Sequence, residues 1–288
     1  MRLFILLCLF ITPFFTRPAS AAAETALNTS VTGASDGGSG FLDHPSRFMM
    51  ATLRTEIYGP GVTLGGNGSR RPDLNTGVGT NPKDLIRAEH KFVAAYKWSP
   101  SVLTGVGLEA NQVATAGFIA RDPYLVLRDN QLLHTDFINW DLQGRAYAGL
   151  TDNSVKAHSP FAFRLSQTWG FRPSRGRWTL DVHGYAHLWT YGADASAQAQ
   201  DFRAHFNPYV TYRISPKIAA RADYRAYGNH KRNRAWNDLD SEPTTAGPGV
   251  IWDVTPAFNV NPFLDLSPGT GFKWSHSTVG VNLNWRAI

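Results

Sequence analysis

Cysteine is almost missing from this 288-residue chain: its one thiol, Cys8, lies within the first 21 residues. With that segment removed, neither a disulfide framework nor thiol chemistry is available. Cys8 also lacks the small neighbours of a lipoprotein box. Long apolar runs are missing too. Beyond residue 21 no stretch approaches the ~20 apolar residues that a membrane-spanning helix requires. The Gly-rich stretch GPGVTLGGNG lacks the Lys-Ser/Thr ending and the strand–helix setting of a phosphate-binding loop, so no nucleotide site is expected. No close internal repeat is present, though Ser/Thr-Pro turns recur.

What is present begins with MRLFILLCLFITPFFTRPASA. Arg2 supplies a positive start, Leu3 to Phe15 an apolar core, and Ala19-Ser20-Ala21 a small-residue cleavage site. This is the pattern of a secretory signal peptide over 1–21. Without it the chain keeps 26 Lys and Arg against 22 Asp and Glu, a formal charge of +4. Residues 22–47 are small and polar and read as a flexible leader. The remainder, 48–288, is moderately polar yet holds 9 Trp, 10 Tyr and 12 Phe. An exported, cysteine-free, aromatic-rich chain suits an outer-membrane β-barrel or a soluble periplasmic β protein, and composition does not choose between them.

Periodicity and loop length do choose. Twelve strands are expected, at about 48–58, 86–98, 102–112, 119–128, 134–150, 160–171, 177–190, 202–213, 217–229, 248–254, 257–266 and 276–287. Alternate links are short: Ser99-Pro100-Ser101, residues 129–133, the RPSRG stretch, Ile214-Ser215-Pro216 and Thr255-Pro256. The others are mostly long: 59–85, 151–159, 191–201, 230–247 and 267–275, with 113–118 the short exception. Segregation of loop length by parity, with an even strand number, predicts an all-β, antiparallel up-and-down transmembrane barrel with its short turns periplasmic.

The faces agree. In RWTLDVHGYAHLW the series Trp178, Leu180, Val182, Gly184, Ala186, Leu188 alternates with Thr179, Asp181, His183, Tyr185, His187, Trp189. In the ninth strand Ile218, Ala220, Ala222 and Tyr224 alternate with Arg221, Asp223 and Arg225. A charged side chain on the lipid face costs about 2–4 kcal/mol at the bilayer midplane, so the charged series is assigned to the lumen. The last strand, TVGVNLNW, resembles the terminal assembly signal of bacterial outer-membrane barrels, with Thr278, Gly280, Leu283 and Trp285 filling the polar, glycine, hydrophobic and aromatic places. Three residues follow Trp285, where many members of that class end on the aromatic. The resemblance implies the bacterial outer membrane as location, with outer-membrane lipid, lipopolysaccharide and the barrel assembly machinery as partners.

The lumen candidates are Arg145, Arg164, Asp181, His183, His187, Arg203, His205, Arg213, Arg221, Asp223 and Arg225. The arginines of strands eight and nine suggest a positive wall that favours anions. The leading expectation is a porin-like channel for small hydrophilic solutes, with no cofactor, no metal and no nucleic-acid partner. The alternative is a non-conducting surface barrel whose internal charges pair and whose long loops act in adhesion or envelope structure. A third reading is a hydrolase. Asp181-Val-His183 is similar to the Asp–His pairing of the omptin outer-membrane proteases, but no second acidic pair is evident. His183 and His187 share a face, yet four residues of strand span about 13 Å, too far for one metal ion. In the loop YGNHKRNRAWNDLDSEP, the basic residues His230, Lys231, Arg232 and Arg234 either meet lipopolysaccharide phosphates or pair within the loop; pairing is the favoured reading.

Overall fold

A computed structural model describes residues 49–60, 86–113, 117–173, 176–241, 244–268 and 277–286. The expected signal peptide and leader, and most of the first long loop, lie outside these residues. The described strands are β1 (Met49–Pro60), β2 (Arg87–Lys97), β3 (Val102–Val113), β4 (Gly117–Ala120), β5 (Tyr124–His134), β6 (Ile138–Ala148) and β7 (Phe161–Phe171). They continue with β8 (Trp178–Trp189), β9 (Gln200–Arg213), β10 (Ile218–Lys231), β11 (Asp240–Ser241), β12 (Thr245–Thr255), β13 (Phe258–Asp265) and β14 (Thr278–Arg286). One short helix, α1 (Asp152–Lys156), lies between β6 and β7.

Twelve of these strands close a ring, while β4 and β11 are short spurs on β3 and β10. Closure is antiparallel: β14 runs back along β1, with Trp285 opposite Leu53 and Val281 opposite Ile57. Because neighbours in the ring are antiparallel and the strand number is even, the links β2–β3, β5–β6, β7–β8, β9–β10 and β12–β13 lie at the rim where β1 begins and β14 ends, and all are short. Four of these turns share one device. The backbone N–H groups of Val102, Ile138 and Ile218 donate to Ser99 Oγ, Thr135 Oγ1 and Ser215 Oγ at 3.0, 3.0 and 3.1 Å, and Ala257 donates to Thr255 Oγ1 at 3.2 Å. A Ser or Thr hydroxyl thus satisfies a backbone donor that the ladder has just released.

The fourth strand departs from expectation. The 119–128 segment is broken at Asp122-Pro123, and its two halves pair with different parts of β3: Ile119 faces Asn111, whereas Leu125 faces Val106. The expected link at 129–133 is strand instead, running to His134 through a register shift between Asp129 and Leu133. The turn is Thr135-Asp136-Phe137. An irregular stretch masks alternation, so the bulge read as a loop.

Three prolines sit inside strands, each removing a ladder donor. Pro208 on β9 lies between the paired positions Tyr209↔Asp223 and Phe206↔Ala226, and there the Asn207 amide donates instead to the Tyr224 carbonyl at 2.8 Å. On β12 and β13, Pro248 and Pro262 fall between the Ala246↔Leu266 bridge and the Trp252↔Val260 pair, where Gly249↔Phe263 is the one matched pair. That seam is the most sparsely paired of the ring's described joins.

Above the opposite rim two of the described connections are pinned by hydrogen bonds. Asp122 accepts hydrogen bonds from the backbone N–H of Leu150 and Thr151 and from the hydroxyls of Thr151 and Ser154, which fixes the start of α1. The tip of the β10 hairpin is held likewise. His230, 2% exposed, meets Asp201 at 2.6 Å and the Arg234 carbonyl at 3.1 Å, and stacks on Trp236.

Candidate functional site: the inner wall

Register decides which side chains share a face. The outward series carries the large exposed hydrophobics: Phe92, Leu108, Leu125, Phe163, Leu188 and Val250 among others. At the tight-turn rim it carries Trp98, Phe137, Trp178, Trp252 and Trp285, and towards the loop rim Phe118, Phe161 and Trp236. An apolar belt this large has no place in water, and aromatic residues at both margins suit two lipid–water interfaces. An apolar crevice of about 420 Å³ between Leu53, Thr55, Phe258, Leu283 and Trp285 lies on this outward face.

The opposite face is the inner wall, and the pairing carries all eleven sequence candidates onto it. Arg145, Arg164, His187 and Arg203 stand directly across from one another on β6 to β9. Towards the turn rim, Asp181 faces Tyr209 and His183 faces Asn207. His205 faces Tyr185 and Tyr227, and Asp223 lies between Arg221 and Arg225 on β10. Arg213 closes the lower end of β9. In the last strand, Leu283 and Trp285 point outward with Leu53, while Thr278 is buried near the loop rim. Gly280 lies under the Phe263 ring: an added Cβ would come within 2.3 Å of Phe263 Cζ, so no side chain fits without moving that ring.

Much of the inner charge is paired. Arg213 meets Asp253 at 2.8 Å, and Arg225 bridges Asp223 at 2.8 Å and Asp265 at 3.1 Å. Arg221 reaches the same Asp223 at 3.4 Å, and Arg54 meets Glu56 at 2.9 Å. Glu89 lies near Lys91 and Arg121, Arg128 near Asp141, and Arg145 meets Glu109 at 3.0 Å. A recess of about 150 Å³ opens between Arg54, Arg221, Arg225 and Asn282, with Asp223 also in its lining.

Beside this ion network runs an aromatic one that the sequence did not disclose. Arg164 lies over Tyr185 at 3.5 Å, Arg221 over Tyr209 at 3.8 Å, Arg145 over Tyr124 at 4.6 Å and Arg203 over Tyr227 at 4.8 Å. His187 is stacked between Trp189 at 3.9 Å and Tyr147 at 5.1 Å. The signal was present as Tyr at even spacing on the charged face, but assigning each ring to a guanidinium requires the cross-strand register.

The remaining candidate pairings resolve as follows. His183 Nδ1 is hydrogen-bonded to Thr168 Oγ1 at 2.9 Å, and the nearest partner of Asp181 is Thr179 at 3.4 Å; no described bond joins Asp181 to His183. Among the described residues no group of three or more His, Cys, Asp or Glu is placed to hold a metal ion. In the outer loop Lys231 meets Asp240 at 3.2 Å and Arg234 meets Asp240 at 2.7 Å, while Arg232 donates to the Ala195 carbonyl.

Comparison with known proteins gives the architecture a context. The ring is similar to an outer-membrane channel from Pseudomonas putida F1, with TM-score 0.52 and 10% identity over 83% of this chain and 96% of that one. That likeness is one of fold. Lower scores relate the chain to OmpF of Salmonella typhi (TM-score 0.41, 5% identity, 83% and 97% covered). The same holds for the outer-membrane channel DcaP of Acinetobacter baumannii (TM-score 0.37, 10% identity, 83% and 96% covered). No family model matches the chain. No curated protein matches it in sequence.

Proposed function

We propose that the chain is a channel of the bacterial outer membrane that passes small hydrophilic solutes, with a preference for anions. The observation that carries this reading is the pairing of a closed twelve-strand ring, apolar outside, with an inner wall rich in arginine. Only closed barrels or helices satisfy every backbone group in lipid, and a charged inner face serves a polar path rather than a dry core. In this setting the tight turns face the periplasm and the long loops the exterior. Thr278, Gly280, Leu283 and Trp285 serve recognition by the barrel assembly machinery.

A second reading, a non-conducting barrel, draws support from the ion pairs that tie much of the wall together. A hydrolase is disfavoured by His183, which is engaged by Thr168 rather than Asp181. The loop cations that pair with Asp240 also argue against a free basic patch for lipopolysaccharide. Conductance of the refolded protein in a planar bilayer separates the first two readings: discrete steps support the channel, and silence with folding verified by heat-modifiable mobility supports the closed barrel.

A further inference from the structure

Arginines on the inner wall are fixed in two ways, and the difference marks a site. Near the turn rim and on β10 they are tied to carboxylates that cancel their charge. On β6 to β9 they form a straight cross-strand row, Arg145–Arg164–His187–Arg203. Arg145 meets Glu109. Arg164 has no ion pair among the described residues and rests on the Tyr185 ring at 3.5 Å. A ring face holds a guanidinium in place without supplying a negative charge to neutralise it. Arg164 Nε and His187 Nε2, on directly opposed residues, are buried without a hydrogen-bond partner.

We propose that this row is an oxyanion-binding subsite, taking solutes that carry a carboxylate or phosphate group. The proposal rests on the channel reading and gives its anion preference a location. A planar guanidinium presents a fork of donors matched to two oxygens of such a group, which an ammonium does not. Arg164 provides the central fork, His187 a neighbouring donor, and Arg203, over Tyr227, the next cation along the row. Tyr185 is a positioning residue that holds the Arg164 plane. The site also moves the centre of positive potential. The sequence pointed to strands eight and nine as a whole, yet Arg213, Arg221 and Arg225 there are matched by Asp253, Asp223 and Asp265.

The test is single-channel recording with inorganic phosphate, succinate and glucose added in turn on the loop side. Phosphate and succinate are expected to interrupt the current saturably, and glucose to leave it unchanged. Block by one oxyanion alone would assign the site to that class, phosphate or carboxylate. Arg164→Ala should weaken the block about tenfold or more, the scale of one charge-assisted hydrogen-bonded contact. Arg164→Lys should recover the ion preference but only part of the block. Tyr185→Leu should weaken the block while leaving the reversal potential in a salt gradient nearly unchanged, a split that general loosening of the wall would not produce. Arg213→Ala, at a neutralised position, should leave the block within about twofold, since a paired charge contributes little to a distant site.

An open channel indifferent to both oxyanions, or blocked equally well in Arg164→Ala, overturns the subsite and leaves the channel reading standing. A silent bilayer overturns the channel reading instead. The subsite is then tested by the fluorescence of Trp189, stacked on His187, during a phosphate titration of the folded protein in detergent. A saturable change lost in Arg164→Ala is expected, and no change overturns the proposal.

Discussion

Two arcs of the same wall hold the same side chain by different means. On β10, β13 and the turn rim, arginine is locked into carboxylates: Arg225 spans Asp223 and Asp265, and Asp265 is only 1% exposed. On β7 and β8, Arg164 lies on Tyr185. Both arrangements order a long, flexible side chain. The first spends the charge on structure, and the second keeps it available to whatever enters. A barrel too narrow to be indifferent to its own side chains can thus be rigid in one arc and receptive in another.

The comparison is broken most severely in the carboxylate arc. Asp265→Ala leaves Arg225 with one partner in place of two and should destabilise the folded barrel by about 3–5 kcal/mol, the usual scale for breaking a buried pair. Urea unfolding in lipid vesicles reads this as a shift in midpoint. In the aromatic arc Tyr185→Leu should cost less, about 0.5–2 kcal/mol, because a cation–ring contact is weaker than a buried ion pair. A loss equal to that of Asp265→Ala would erase the distinction drawn here.

The smallest effect belongs to the exposed counterpart at the tip of the β10 hairpin. There a hydrogen bond from Lys231, aided by Arg234, holds the Asp240 carboxyl below its usual range. A lowered carboxyl pKa contributes stability above its ordinary value, about 3.9, and loses it as pH falls through the lowered one. The protection factor for hydrogen exchange at the 232–241 hairpin, measured against the intrinsic rate at each pH, should therefore fall only in acid, below about pH 4, and Asp240→Asn should abolish that pH dependence. Protection that does not change with pH would show that the pair orders nothing.

Gly280 sharpens a different boundary, between the signal and the structure it sits in. Gly280→Val would push against the Phe263 ring and should cost about 1–3 kcal/mol of stability as overpacking, apart from any effect on assembly. Comparing refolding in detergent with yield in cells separates the two contributions.

How much of this was legible in the sequence differs by level. Strict alternation along 177–190 and 217–229 fixes both faces, because a period of two leaves no freedom once one face is apolar. It failed where the backbone is irregular: Pro123 interrupts one strand, and the bulge after Asp129 brings Leu132 and Leu133 together in a way that resembles a link. The candidate row was visible only as separate residues. Arg164 and His187 are 23 positions apart in sequence and meet because β7 and β8 pair in one register. The rings beneath the arginines were hidden for the same reason, since a tyrosine on a polar face carries no mark of what lies above it. The proline-thinned β12–β13 seam was readable as composition, but not as a gap, until both prolines fell on neighbouring strands.

The most direct test of the account is the reversal potential of the refolded protein in a planar bilayer under a salt gradient, measured for the native chain and for Arg164→Ala. A native potential of anion-selective sign that collapses towards zero in the variant is the predicted result. A native channel without anion preference, or one whose preference survives the loss of Arg164, would contradict it.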